Sequence, residues 1–66
     1  MEVVVNGEPR EIEVDATIEN LIESLKLQPR HVAVELNLQL VPRGEHGTRR
    51  LSAGDKLEVV TLVGGG

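Results

Sequence analysis

Lys56-Leu57-Glu58-Val59-Val60-Thr61-Leu62-Val63-Gly64-Gly65-Gly66 is the stretch that decides the fold. Val59, Val60, Thr61 and Val63 are β-branched, and such stiff side chains favour a pleated strand with at least one buried face. Alternation puts Leu57, Val59 and Thr61 on one side of this strand and Val60 and Leu62 on the other. Three glycines then close the sequence. Glycine has no side chain to bury and the most backbone freedom to lose, so Gly64 to Gly66 fall outside the strand. The sequence thus predicts a folded body over residues 1-63 and a flexible glycine tail over 64-66, ending in a carboxylate.

Working outward, 66 residues make one domain, near the lower limit of what a hydrophobic core alone can hold together. There is no Cys, so neither a disulfide nor a thiolate metal site can assist, and no Phe, Tyr or Trp, so the core must be built from Val, Leu and Ile. The formal net charge of -4 and the lack of aromatics argue against nucleic acid, which rewards basic faces and stacking rings. Arg43, Arg49 and Arg50 form a local basic cluster that reads as solvated loop charge. No signal peptide pattern follows Met1, and the apolar runs are far too short to span a membrane, so a cytoplasmic protein is expected.

The chain opens on a strand, Glu2-Val3-Val4-Val5, then Asn6-Gly7, a dipeptide that tolerates positive φ and marks a hairpin. Arg10 to Val14 alternates, predicting a second strand with Ile12 and Val14 on one face and Glu11 and Glu13 on the other; Pro9 sits near the turn, where a missing donor does little harm. Thr17 is placed to cap a helix, with Glu19 near its positive end. Ile18, Leu21, Ile22 and Leu25 form one apolar stripe over two to three turns, which Pro29 prevents from continuing. Val32 to Leu36, a turn near Asn37-Leu38, and Gln39 to Val41 predict two more strands. Arg43 to Thr48, including His46, reads as a loop, and Ser52-Ala53-Gly54-Asp55 as a turn into the final strand.

These elements predict an α+β fold in which one helix covers one face of a sheet. Leu57 and Val59 then face the helix. Val60 and Leu62, with Val4 on the same side, face outward as an aliphatic patch with nothing internal to cover it, which suggests a docking surface. Catalytic groups are scarce. His31 and His46 lack ligand spacing, Ser24 and Ser52 have no neighbouring His, and the tail glycines precede no helix that could cradle phosphate. The chain is expected to bind no metal or cofactor and not to be an enzyme.

The Asn6-Gly7 hairpin, the helix start Thr17-Ile18-Glu19-Asn20-Leu21, the segment Asn37-Leu38-Gln39-Leu40-Val41-Pro42-Arg43, Gly54-Asp55 and the ending Val63-Gly64-Gly65-Gly66 together resemble the ThiS type of sulfur carrier in thiamin thiazole biosynthesis. The resemblance covers nearly the whole chain. It implies a ubiquitin-like β-grasp, a mixed sheet of four to five strands packed on one helix, with the first and last strands parallel at the sheet centre. It also implies a cycle. An adenylating enzyme related to ubiquitin-activating enzymes, using ATP and magnesium, activates the Gly66 carboxylate. A sulfur donor such as a cysteine desulfurase supplies sulfur to give a thiocarboxylate, and thiazole synthase takes it up.

The residues suit that role. Gly64 and Gly65 form a tether without side chains to clash in a narrow channel, and three extended residues reach on the order of 10 Å. With no Cys, carried sulfur must sit on the Gly66 carboxyl group. Three alternatives stay open: the small subunit of molybdopterin synthase, a modifier joined to lysine through Gly66, and an interaction module without tail chemistry.

Overall fold

A computed structural model describes residues 1–62; Val63 and Gly64 to Gly66 lie outside the described residues, and with them the expected tail. Strands β1 (Glu2–Val5) and β2 (Glu8–Glu11) pair antiparallel across Asn6 and Gly7, whose φ values of 51° and 84° are those the hairpin dipeptide predicts. Pro9 pairs opposite Val4 on β2, an edge strand, where its missing N–H costs least.

The second strand is shorter than its alternation suggests. It stops at Glu11, and Val14 is 72% exposed instead of sharing a buried face with Ile12. Ile12 is still held to the first strand, through Ile12 N–H to Met1 O at 2.8 Å and the Met1 amino group to Ile12 O at 2.7 Å. Past Ile12 the chain reverses through Asp15 at φ 70°.

Helix α1 (Ile18–Ser24) begins at a reciprocal cap, in which Asn20 N–H donates to Thr17 Oγ1 at 3.1 Å and Thr17 N–H to Asn20 Oδ1 at 3.0 Å. It runs seven residues, about two turns, with Ile18, Leu21 and Ile22 buried and Leu25 half-buried at its end. Burying each such aliphatic side chain is worth roughly 1.5–3 kcal/mol. Its first amides find outside acceptors: Ile18 N–H donates to Arg49 O at 3.0 Å and Glu19 N–H to His46 O at 2.9 Å.

Those bonds explain why the expected loop from Arg43 to Thr48 is ordered. It opens with a 3-10 turn, Arg43–Glu45, and His46 is not a loop histidine but a core one, only 3% exposed, with Nε2–H directed to Val41 O at 3.2 Å. Arg43, Arg49 and Arg50 are exposed, as expected of solvated charge. Thr17 also bridges to Arg50, so the segment before the final strand is stitched to the start of the helix.

Strands β3 (Val32–Leu36) and β4 (Gln39–Val41) form a second hairpin, and β5 (Lys56–Thr61) lies between the two hairpins in the order β2-β1-β5-β3-β4. It runs parallel to β1, with Val4 opposite Lys56 and Val5 opposite Leu57, and antiparallel to β3 from Leu36↔Leu57 to Val32↔Thr61. This is the α+β, β-grasp arrangement, with a five-stranded mixed sheet on one helix and the first and last strands parallel at its centre. The core between helix and sheet is aliphatic: Val3, Val5, Val34, Leu36, Leu57 and Val59 from the sheet meet Ile18, Leu21 and Ile22.

The Asn6 carboxamide extends the short β1–β5 pairing, with Nδ2 donating to Val59 O at 3.1 Å and Oδ1 accepting from Val59 N–H at 2.8 Å. Replacing Asn6 by Ala strands both β5 groups, and the expected cost is about 1–3 kcal/mol. The midpoint of thermal unfolding, followed by circular dichroism, should drop by roughly 4–8 °C per kcal/mol in a domain this size. A shift below about 2 °C would show that the carboxamide does not secure the strand.

Candidate functional site

The glycine tail on which the sequence analysis places the chemistry follows β5 in the sequence, so the surface beside that strand is the candidate place for a partner. The register divides the strand cleanly. Leu57 and Val59 point to the helix and are 1% and 8% exposed, while Val60 and Leu62 point away and are 56% and 48% exposed. Leu62 lies just past the strand but is still held, its N–H donating to His31 O at 2.6 Å. The structure therefore places the chain up to Leu62.

Of the sequence-predicted docking residues, Val60 and Leu62 occupy the outer face as expected. Val60 stands opposite Ala33 of β3, a half-buried neighbour that the sequence reading did not single out. Val4 is on the same face and half-buried, but its partner on β5 is Lys56, four residues before Val60. At about 3.3 Å per residue, that separates Val4 from Val60 by roughly 13 Å along the strand. The face is one surface with two apolar ends, not one tight patch.

Between those ends lies a carboxylate pair, Glu58 of β5 directly opposite Glu35 of β3, both exposed. Beyond Val4, on the side away from Val60, Glu2 and Glu11 lie opposite one another on β1 and β2. Like charges facing across strands repel. Glu11 has the Met1 amino group at 3.7 Å, whereas no ion pair among the described residues includes Glu35 or Glu58. Lys56 is the strand's own cation, at the end nearest Val4. An apolar surface with a carboxylate pair inside it suits a partner face that is apolar and basic.

The histidines of the described residues stand apart from one another and from any catalytic set. His31 is exposed, His46 is packed against Val41, and among the described residues no three His, Asp or Glu side chains gather in a metal-ligating group. No helix among them is long and apolar enough to cross a membrane. Gly64, Gly65 and Gly66, the expected tether and reacting group, lie outside the described residues.

Residues 3–66 match the model of the ThiS family. A thiazole synthase of Paramagnetospirillum magneticum is 42% identical over 66 residues, which is 100% of this chain but 20% of that protein, so the chain spans about a fifth of the curated relatives it matches first. A sulfur carrier protein ThiS of Thermus thermophilus is 39% identical over 64 residues, 97% of this chain and 98% of that one. The crystal structure of a thiamine biosynthesis protein (ThiS) from Geobacter metallireducens superposes with a TM-score of 0.83 at 30% identity, covering 100% of both chains.

Paired substitutions test the division of β5. Val60→Thr keeps the β-branched shape on an exposed site and should change stability by less than about 0.5 kcal/mol. Val59→Thr puts the same hydroxyl into the core and should cost about 1–3 kcal/mol. Urea unfolding of both variants measures the contrast, and equal losses would contradict the assigned faces.

Proposed function

This chain belongs to the ThiS family, and we propose that it is a sulfur carrier for thiamine biosynthesis that works through its glycine tail. The observation that carries this reading is the placement of β5. The core strand ends three residues before Gly64-Gly65-Gly66 in the sequence and lies beside an apolar and acidic face. The near full-length likeness to a protein named as a sulfur carrier supports it.

A carboxylate is a poor electrophile, so the Gly66 carboxyl group must first be activated. An adenylating enzyme joins it to AMP from ATP, with magnesium held by that enzyme, and pyrophosphate leaves. The terminal sulfur of a persulfide on a sulfur donor, such as a cysteine desulfurase relay, then displaces AMP to give an acyl disulfide, and a thiol cleaves its S–S bond, leaving as a new disulfide with the donor. The product is a thiocarboxylate, the sole place for carried sulfur in a chain without Cys. Thiazole synthase takes that sulfur into the thiazole ring and the carboxylate is regenerated. Gly64 and Gly65 thread the narrow approach to each active site because they carry no side chains. Val60 and Leu62 hold the body against the partner, with Val4 at the far end of the same face. The chain itself is a co-substrate and binds no cofactor, and the cycle runs in the cytoplasm.

Intact mass spectrometry after incubation with ATP, the adenylating enzyme and a sulfur source should show one oxygen-for-sulfur exchange mapped to a C-terminal fragment. The exchange should vanish when Gly66 is deleted. Mapping is needed because oxidation of Met1 adds nearly the same mass. An isopeptide-linked product would identify a modifier instead. An unchanged tail, with an adenylating enzyme active on another carrier, would identify a plain interaction module.

A further inference from the structure

The two hairpins of this chain use the same turn with different residues. At the first, Asn6 and Gly7 take φ values of 51° and 84°. At the second, Asn37 and Leu38 take 50° and 72°. Leu38 therefore occupies a left-handed position that glycine fills without strain and that a branched apolar side chain enters at a cost. Its side chain gains nothing in exchange within the body, being 91% exposed, the most of any large apolar residue described. A residue that is both strained and unburied in the folded chain points to a role outside it.

The turn is also held firmly. Asn37 N–H donates to Lys56 O at 2.8 Å, Lys56 N–H donates to Asn37 Oδ1 at 3.0 Å, and Asn37 Nδ2 donates to Asp55 Oδ1 at 3.2 Å. Leu38 is thus presented rigidly at the start of β5. There, Asn37, Leu38, Lys56 and Glu58 line a groove of about 330 Å³. Glu58 belongs to the carboxylate pair with Glu35. A pre-organised apolar side chain next to exposed charge has the form of an interface anchor, because little freedom is lost when it is buried.

We infer that Leu38 is an anchor that inserts into an apolar socket on thiazole synthase, with a cationic side chain of that enzyme meeting Glu35 and Glu58. The inference rests on the sulfur-carrier reading above. Thiazole synthase is the chosen partner because two proteins of that name, at 42% identity, contain a counterpart of this entire chain as 20% of their length. The carboxylate pair supplies the matching charge. β5 spans six residues, about 20 Å, so the anchor lies at the opposite end of the strand from the tail. The enzyme would hold the carrier at two distant points.

The test is Leu38→Gly, which gives the second turn the sequence of the first, together with Leu38→Asn, which also tolerates positive φ. Binding of each to purified cognate thiazole synthase is measured by calorimetry, thermal midpoint by circular dichroism, and sulfur loading by intact mass. The expected result is a Kd raised roughly tenfold or more in both variants, with the midpoint unchanged or higher and loading by the adenylating enzyme unchanged. Binding within twofold of the unaltered chain would overturn the anchor alone. A midpoint several degrees lower in both variants would overturn the strain argument, and lost loading with intact synthase binding would overturn the choice of partner. Failure of the unaltered chain to bind would instead overturn the proposed transfer to thiazole synthase, and the anchor with it.

Discussion

The structure depends on the backbone hydrogen bonding of one strand. β5 enters between two hairpins that are otherwise separate, and each hairpin turn donates an asparagine to hold it: Asn6 grips Val59 and Asn37 grips Lys56. The parallel pairing with β1 covers just Val4↔Lys56 and Val5↔Leu57, against five pairs with β3. Without the Asn6 carboxamide, the half of β5 that approaches the tail would have a ladder on one side alone. The two turns thus reverse the chain and extend the sheet at the same time.

A core without aromatic rings has to be made from close aliphatic packing on one side of the sheet, and the described residues offer a single α-helix, of seven residues, with which to do it. The limited cover has a direct functional result. Everything needed for stability is drawn to the helix side, from Val3 and Val5 to Leu57 and Val59, while the opposite side is left to Val60, Leu62, Leu40 and the carboxylates. The outer face is free to be shaped by partners because it contributes little to holding the body together.

Most of the elements were legible in the sequence because their signals are local. Asn6-Gly7, the Thr17 cap, the Ile18-Leu21-Ile22 stripe and the alternation around Val59 and Val60 each depend on neighbours a few residues away. What was not legible depends on distant partners. Strand β2 ends at Glu11 and the chain reverses at Asp15 in a left-handed conformation, which the alternation through Val14 does not reveal. His46 is buried because the helix start at Ile18 and Glu19 draws the neighbouring segment inward. The same reasoning covers the candidate site: Val60 and Leu62 follow from the period of one strand, but the distance of Val4 from them follows from register with another. Leu38 had a readable signal, an asparagine followed by a leucine where a hairpin turn favours glycine.

The strand order has a consequence for how the protein is made. β1 and β3 meet through β5, the last strand in the sequence to be synthesised. Until it emerges, the earlier segments have an open slot between two exposed edges and no complete core, a state prone to pairing with other chains. Closing the slot requires contacts between residues as distant as Val4 and Lys56, which makes folding a late and non-local event. By the same dependence, a chain cut short before β5 leaves the two hairpins unjoined and cannot assemble this sheet.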